Sequence, residues 1–410
     1  MITDHWCTPA APACAEPTLP RWEVADIVRL YGDSYRQLYP VSPGQQRVLE
    51  AIAACRTAQL GGHMEQCPQC GFERYAYHSC RNRHCPKCQS FPKAQWVADR
   101  QADLLPVPYF HTVFTLPHAL NALILGNKRL LLGLLFTAAS QTLLQFGRHN
   151  LGGQLGGIMV LHTWDQLLNA HFHVHCLVPG GALTDAGTRW VPTHPAFLFP
   201  VKALGTVFRA KFLAALVHAR TPAALTFNDT TAAFATPQGF AHLFDHLSTT
   251  AWSVYAKAPF AGPAQVVDYL GRYTHRIALT NARLVDVRDG HVCFTYRNRR
   301  NGDTLEQMTV DAHTFLHRFL LHVLPPGFVR LRHYGFLANR CKARTLPQCR
   351  QLLNHAPPPP PRQTLTVTQW MQQVVGIDLT QCPQCGARQL HRRPLPAASL
   401  LQRPRSPPHS

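Results

Sequence analysis

Acidic residues are scarce in this 410-residue sequence. It has 21 Asp and Glu against 40 Lys and Arg, so the formal charge is +19 with His counted neutral. Lysine is scarce as well: seven of the basic residues are Lys and 33 are Arg. Because a planar guanidinium matches phosphate oxygens, the imbalance favours a nucleic-acid partner. A genome that prefers Arg codons would explain the arginines but not the shortage of acids.

The sequence also lacks the segments that secretion or membrane insertion requires. Residues 1–20 contain several prolines and no apolar core of a signal peptide. The most apolar region, residues 116–146, is interrupted by polar residues such as Asn127 and Lys128, which predicts buried helices rather than a membrane span. We therefore expect a cytoplasmic protein with reduced cysteines and no membrane partner.

Hydrophobic residues make up 46% of the chain, enough for globular domains with a real core. Changes in composition divide the chain into four predicted parts. These are a helical segment (1–54), a zinc-binding domain (55–93), a large mixed domain (94–350), and a proline-rich linker with a C-terminal tail (351–410). We find no internal repeat.

Local patterns within the large domain predict both strands and helices. The predicted strands cover 109–116, 158–164 and 171–178, and the predicted helices cover 203–219 and 264–275. Residues 284–310 contain Asp-Gly and Asn-Gly turns between alternating runs, which predicts a hairpin.

Two C-x₂-C pairs give the strongest local signal. Cys67/Cys70 and Cys85/Cys88 are separated by fourteen residues, the spacing of a zinc ribbon. Further candidate zinc ligands lie beside them: Cys55, His63, Cys80 and His84. Eight candidates within 34 residues could hold one Zn²⁺ ion or two, and the sequence leaves both open.

Basic and aromatic residues alternate within the same block. The basic residues Arg74, Arg81, Arg83, Lys87 and Lys93 are interleaved with Phe72, Tyr75 and Tyr77, a composition suited to binding a DNA backbone and stacking on bases. A zinc module with a purely structural role is the alternative. A third C-x₂-C pair, in the CPQCG of the tail at Cys382–Gly386, is either a second zinc site with a remote partner or a remnant.

A histidine-rich strand is the first candidate for catalysis. Residues two apart on a strand share a face, so His171, His173 and His175 form a ladder of imidazoles. Such a ladder can bind a divalent ion, and buried imidazoles without partners would be costly. A structural role is the alternative for any single His-x-His.

A tyrosine pair about 100 residues later is the second candidate. Tyr269 and Tyr273 are four apart, so on a helix their hydroxyls lie on one face. Arg272 and Arg276 lie on the same predicted helix and could contact phosphates of DNA. Core aromatic residues would explain this helix taken by itself. Together with the histidine ladder, a pair of covalent nucleophiles is the better interpretation.

These segments resemble the HUH (histidine–hydrophobic–histidine) two-tyrosine transposases of bacterial rolling-circle insertion sequences, the IS91-like group. The resemblance covers about residues 21–353 and depends on several segments that occur in order: 55–71, 79–89, 108–118, 161–164, 171–181, 259–281 and 332–340. It implies an α+β fold, in which a small zinc-ribbon-like domain precedes an HUH nuclease domain built on an antiparallel sheet.

The resemblance also implies roles for single residues. His173 and His175 would hold a catalytic Mg²⁺ or Mn²⁺ ion, with His171 as the assigned third ligand. His162 and His275 are the alternatives for that third position. Tyr269 and Tyr273 would attack single-stranded DNA at the ends of the element and at its target, and the protein would lie near the bacterial nucleoid.

Two other functions fit part of the sequence. A catalytically inactive, zinc-dependent DNA-binding protein or repressor needs the cysteines and the charge, but the histidine ladder and the tyrosine pair are intact. An RNA-binding zinc protein would share the charge and would not need the tyrosines.

Overall fold

The computed structural model describes residues 21–220, 224–257, 271, 278–298, 301–354 and 366–398. The helices are α1 (Val24–Leu38), α2 (Pro43–Ala54), α3 (Ser90–Ala102), α4 (Asn121–Gly126), α5 (Lys128–Leu151), α6 (Val201–Ala219), α7 (Pro237–Thr249), α8 (Ala312–Leu321), α9 (Lys342–Leu352) and α10 (Val367–Trp370). The strands are β1 (Gly62–Gln66), β2 (Glu73–Tyr77), β3 (Tyr109–Thr115), β4 (Gly153–Gln154), β5 (Gly156–Trp164), β6 (Ala170–Pro179), β7 (Gly181–Thr184), β8 (Trp190–Pro192), β9 (Val254–Lys257), β10 (Leu284–Arg288), β11 (His291–Asn298), β12 (Thr304–Asp311), β13 (Leu331–Gly335) and β14 (His391–Leu395).

A five-stranded sheet is the centre of the fold. Its strand order is β13-β5-β6-β3-β9, and every neighbouring pair is antiparallel. The central strand β6 is ten residues long, and eight of them are buried. Such a strand must be covered on both faces, which explains why its sequence is apolar apart from the histidines.

The two faces of this sheet have different chemistry. Phe114, Phe172 and Val174 point to one face, where they join the large core formed with α5 and α6. On the other face, Leu177 packs near the end of β6 in a smaller cluster with residues of α3 and α9, and the histidines occupy the adjacent region. The sheet therefore holds the histidines on one face, while its other face packs on the large core.

Helix α5 is the one helix in the described ranges that is long and apolar enough to cross a membrane. Half of its most apolar window is buried within the protein. Leu132, Leu135 and Phe136 of this helix are part of the core beneath the central sheet. It is thus packed as a core helix, in agreement with the sequence prediction.

The N-terminal helices pack on a distant part of the chain. Helix α2 begins at a capping box in which Ser42 and Gln45 satisfy each other's backbone amides. Ile27 of α1 and Leu49 of α2 share a core with Phe315 of α8 and Phe294 of β11. The segment before the cysteines is therefore joined to the three-stranded sheet β10-β11-β12.

A small three-stranded sheet forms the N-terminal module, which includes the predicted zinc-binding domain (55–93). Its order is β14-β1-β2, so β14 from the C-terminal tail pairs with a strand near the N-terminus. The register joins Gly62 to Leu395 on one side and to Tyr77 on the other.

Most of the element predictions are confirmed by these bounds. The strands predicted at 109–116, 158–164 and 171–178 are β3, β5 and β6, and the helix predicted at 203–219 is α6. The predicted hairpin is confirmed as β10-β11-β12, with positive φ at Asp289 and Gly290 in its first turn. The predicted α+β class is confirmed as a mixture of helices and antiparallel sheets. The helix over 264–275 lies outside the described residues apart from Gly271, and the four domain boundaries stay predictions.

Candidate metal centres

Three buried histidines meet on the central sheet. His173 and His175 lie on one face of β6, and antiparallel pairing places His162 of β5 directly opposite His173. One ring nitrogen from each of the three lies within 4.8 Å of the others. All three side chains are buried, and His175 is 8% exposed. Three imidazoles that converge in this way are suited to binding a divalent ion.

Hydrogen bonds to the other ring nitrogens orient two of these imidazoles. The Nδ1 atom of His173 lies 3.1 Å from the carbonyl oxygen of His171, and Nδ1 of His175 lies 2.8 Å from Nε2 of His111. Burial, reinforced by the charge of Lys257, lowers the pKa of His111 to about 4. His111 is therefore neutral at pH 7 and can accept a hydrogen bond from His175, which leaves Nε2 of His175 for a metal. Sequence reasoning missed His111. The alternation of side chains along the predicted strand 109–116 could have indicated it, because it places His111 on one face of that strand.

The structure corrects the assignment of His171 as third ligand. Between His162 and Trp164 the pairing of β5 with β6 shifts register, so that β6 has an extra residue near His171. The ring of His171 stacks on that of His118 at 5.2 Å. The carbonyl oxygen of His171 contacts His173 and the two rings lie 4.8 Å apart, but His171 is not part of the three-histidine group. His275, the remaining alternative, lies outside the described residues.

The first cysteine cluster consists of Cys55, Cys80, Cys85 and Cys88. Its sulfur atoms are close: Sγ of Cys55 lies 3.4 Å from that of Cys88 and 3.6 Å from that of Cys85. The cluster lies at the end of α2 and joins the core formed by α1, α2 and α8. Four ligands from one short stretch of chain make a closed site of the structural kind.

The second cluster consists of Cys67, Cys70, Cys382 and Cys385. Sγ of Cys67 lies 3.6 Å from that of Cys385, and Sγ of Cys70 lies 3.6 Å from that of Cys382. The prediction that the two N-terminal knuckles share one ribbon was therefore wrong. The first knuckle pairs with the knuckle of the tail, because β1 hydrogen-bonds to both β2 and β14.

The sulfur distances fit metal sites rather than disulfides. A disulfide bond is about 2.05 Å long, whereas the edge of a tetrahedron of sulfurs around zinc is roughly 3.8 Å. The twelve cysteines that the structure describes are all free thiols. A hydrogen bond from the backbone amide of Cys70 lowers the pKa of Cys67 to about 7. A thiol with such a pKa readily becomes the thiolate that binds metal.

His63 and His84 were candidate zinc ligands, and the structure places neither in a cluster. Nδ1 of His84 lies 3.0 Å from Oδ1 of Asn82, and its Nε2 accepts a hydrogen bond from the amide of Leu324. Nε2 of His63 lies 3.4 Å from a carboxylate oxygen of Glu65. Four cysteines complete each site, so neither site needs a histidine.

Comparison with known proteins identifies the family. Residues 27–116 match a family model described as a transposase zinc-binding domain, and residues 156–344 match one described as a putative transposase. A putative transposase from Sinorhizobium fredii, y4qJ, is 48% identical over 375 residues, which cover 90% of this chain and 94% of that protein. The chain belongs to the IS91-like family of transposases.

A second relative of this transposase is the transposase for insertion sequence element IS801 from Pseudomonas savastanoi pv. phaseolicola. It is 29% identical over 344 residues, which cover 83% of this chain and 81% of the relative. No solved structure matches the chain. The zinc-binding match spans the first cysteine cluster and one half of the second; the other half lies in the tail.

The predicted DNA-binding residues of the transposase occupy different surroundings. Arg81 is exposed, whereas Arg83 is half-buried and donates to the carbonyl oxygens of Phe328 and Pro325. Arg83 thus fastens the cysteine block to the loop after α8, and burial lowers the pKa of its guanidinium. Four further predicted residues lie outside the described part of the chain: Tyr269, Tyr273, Arg272 and Arg276.

We expect Cys85→Ser to remove one equivalent of zinc from the purified transposase and to destabilise residues 55–93. Structural zinc contributes binding free energy of about 10 kcal/mol or more to folding, and Cys85 is buried in the core that includes α1. Elemental analysis and thermal unfolding measure the two effects. Cys293→Ser is the matched control, because Cys293 lies outside both clusters. Full zinc content in Cys85→Ser would contradict the assignment.

Proposed function

We propose that this transposase nicks and rejoins single-stranded DNA at the ends of its insertion sequence through covalent 5′-phosphotyrosine intermediates. The observation that carries the proposal is the group of three buried imidazoles on the central sheet, His162, His173 and His175. One ring nitrogen from each lies within 4.8 Å of the others, an arrangement that suits a shared divalent ion better than an apolar core.

The donor set supports a catalytic divalent ion. His162, His173 and His175 would hold it, and when bound it would polarise a phosphoryl oxygen of the scissile phosphate. Mg²⁺ prefers oxygen ligands in octahedral geometry, so three imidazoles favour a transition-metal ion such as Mn²⁺. His111 and the carbonyl oxygen of His171 support the assignment, because they fix the orientation of His175 and His173.

The nucleophiles in this proposal are Tyr269 and Tyr273. A tyrosine oxygen attacks phosphorus, the bond from phosphorus to the 3′ oxygen breaks, and the leaving oxygen takes a proton to become a free 3′-OH. The tyrosine ester retains the energy of the phosphodiester, so the strand can be rejoined without hydrolysis. The second tyrosine performs the matching attack at the target or at the other end of the element.

One described residue between the tyrosines supports their placement near the histidines. A Cβ atom on Gly271 would overlap the side chain of Val97, so Gly271 lies directly against α3. Val97 packs on the cluster that contains Leu177, which is two residues after His175 on the same face of β6. Gly271 thus lies against a cluster on the face of the sheet that carries the three histidines.

The proposal is tested by incubating the transposase with labelled single-stranded element ends and Mn²⁺ or Mg²⁺. We expect a protein–DNA adduct that survives denaturing gels, forms with the metal and disappears with EDTA. Cleaved DNA without an adduct would indicate a hydrolytic nuclease. Binding without cleavage under all conditions would instead favour the inactive DNA-binding protein or repressor.

A further inference from the structure

The two halves of the second cysteine cluster are copies of one local structure. Cys67–Gly71 and Cys382–Gly386 have the same sequence, CPQCG. Both glycines have positive φ, +72° for Gly71 and +75° for Gly386, a conformation that favours glycine. Each half therefore forms the tight turn that directs two thiols to the same side.

Backbone hydrogen bonds repeat in the same places. The amide of Gly71 donates to the carbonyl of Cys67 at 3.0 Å, and the amide of Gly386 donates to that of Cys382 at 2.9 Å. The amides of Cys67 and Cys382 each donate at 2.8 Å to the carbonyl of the fifth residue that follows. The turns are thus formed by their own backbones and need only to face each other to complete a tetrahedral site.

We propose that Cys67, Cys70, Cys382 and Cys385 bind a zinc ion that fastens the C-terminal tail to the N-terminal module. Sγ of Cys70 and Sγ of Cys382 lie 3.6 Å apart although these residues are 312 positions apart in the chain. Four thiolates leave no open coordination position, so the ion is structural.

A buried carboxylate gives independent support for the docking of the tail. Glu65 of β1 is 3% exposed, and guanidiniums from both neighbouring strands bind it. Nε of Arg74 donates to one carboxylate oxygen at 2.8 Å, and Nε of Arg392 donates to the other at 3.1 Å. Without β14, this carboxylate would lose one of its two guanidiniums and keep on that oxygen the contact of 3.4 Å with Nε2 of His63, so the residue is suited to a sheet in which the tail is present.

The backbone just before β1 also packs closely against the segment after β14. A Cβ atom on Gly61 would lie 2.8 Å from the carbonyl oxygen of Leu395 and 2.9 Å from the amide of Ala397. The amide of Ala398 donates to the carbonyl of Ala58 at 3.0 Å. Residues 391–398 of the tail therefore contact the module, as do its cysteines.

The test compares full-length protein with the double variant Cys382→Ser/Cys385→Ser. We expect the variant to lose one equivalent of zinc by elemental analysis. We also expect amides of β14 to lose their protection in hydrogen exchange, while amides of β6 keep theirs. The control is Cys293→Ser/Cys341→Ser, which changes two thiols outside both clusters and should retain all zinc.

A second variant distinguishes the loss of a zinc ligand from general misfolding. Cys385→His replaces one zinc ligand by another, and we expect it to keep the zinc and most of the protection of β14. Unchanged zinc in the double serine variant would overturn the site, and iron in place of zinc would overturn the choice of metal. Loss of zinc with full protection of β14 would overturn the fastening role. None of these readouts depends on DNA cleavage, so failure here is distinct from failure of the proposed function.

Discussion

Replacement of His173 and His175 by alanine should abolish DNA cleavage and leave DNA binding largely intact. Loss of the metal removes stabilisation worth several kcal/mol from the transition state, which corresponds to about a thousandfold or more in rate. Binding should persist because we expect arginines, rather than imidazoles, to contact the phosphates. Adduct formation and a gel-shift assay on the same preparations separate the two effects.

Further histidine variants make this experiment specific. His162→Ala should be as severe as His173→Ala. His171→Ala should retain most cleavage, because His171 is outside the three-histidine group and alanine keeps the carbonyl oxygen near Nδ1 of His173. His242→Ala, on an exposed site of α7, is the matched control. His173→Asn and His175→Asn keep more of the packing volume where alanine destabilises the sheet. Undiminished cleavage in EDTA and in both alanine variants would mean that the histidines are structural.

The double variant Tyr269→Phe/Tyr273→Phe should form no covalent adduct with DNA. Phe removes only the hydroxyl, so the fold should survive with little change in stability. Each single variant should block transposition in cells, because the reaction needs two attacks. In vitro a single variant should still form an adduct through the remaining tyrosine, since residues four apart share a helical face.

The structure supplies a specific rival for this role. Tyr255 on the edge strand β9 is 52% exposed and pairs with Val113, which in turn pairs with His175. It therefore lies on the histidine face of the sheet. An adduct in the double variant that disappears with Tyr255→Phe would place the nucleophile on β9. Full transposition by Tyr273→Phe alone would make this a one-tyrosine enzyme. The control variant is Tyr39→Phe, which removes a tyrosine hydroxyl at the C-terminal end of α1.

Local patterns in the sequence were sufficient for the catalytic strand. The alternation around His173 and His175 gives both the strand and the face, because side chains on a strand alternate at every position. The apolar residues between them, such as Val174, identify the face that packs on the core. The family resemblance added the order of the segments, which a single motif does not contain.

Long-range pairing was beyond what local patterns contain. A C-x₂-C pair predicts a turn with two converging thiols, but nothing in it specifies which other pair completes the site. The spacing of Cys70 and Cys85 suggested a ribbon, yet the sheet pairing of β1 with β14 selects Cys382 instead. In the same way, His162 became a member of the histidine group through register, and a shift in that register removed His171.

The shared second cluster also sets the order in which the protein can be completed during synthesis. At about 5–20 residues per second, a ribosome delivers Cys382 roughly 15–60 s after Cys70, which precedes it by 312 positions. Throughout that interval the first knuckle offers only two of the four thiols, and β1 can pair with β2 but not with β14. A message cut short before Cys382 would yield a chain with the histidine strands but an unfinished N-terminal module. The N-terminal module is thus translated early but can fold completely only after the tail has been synthesised.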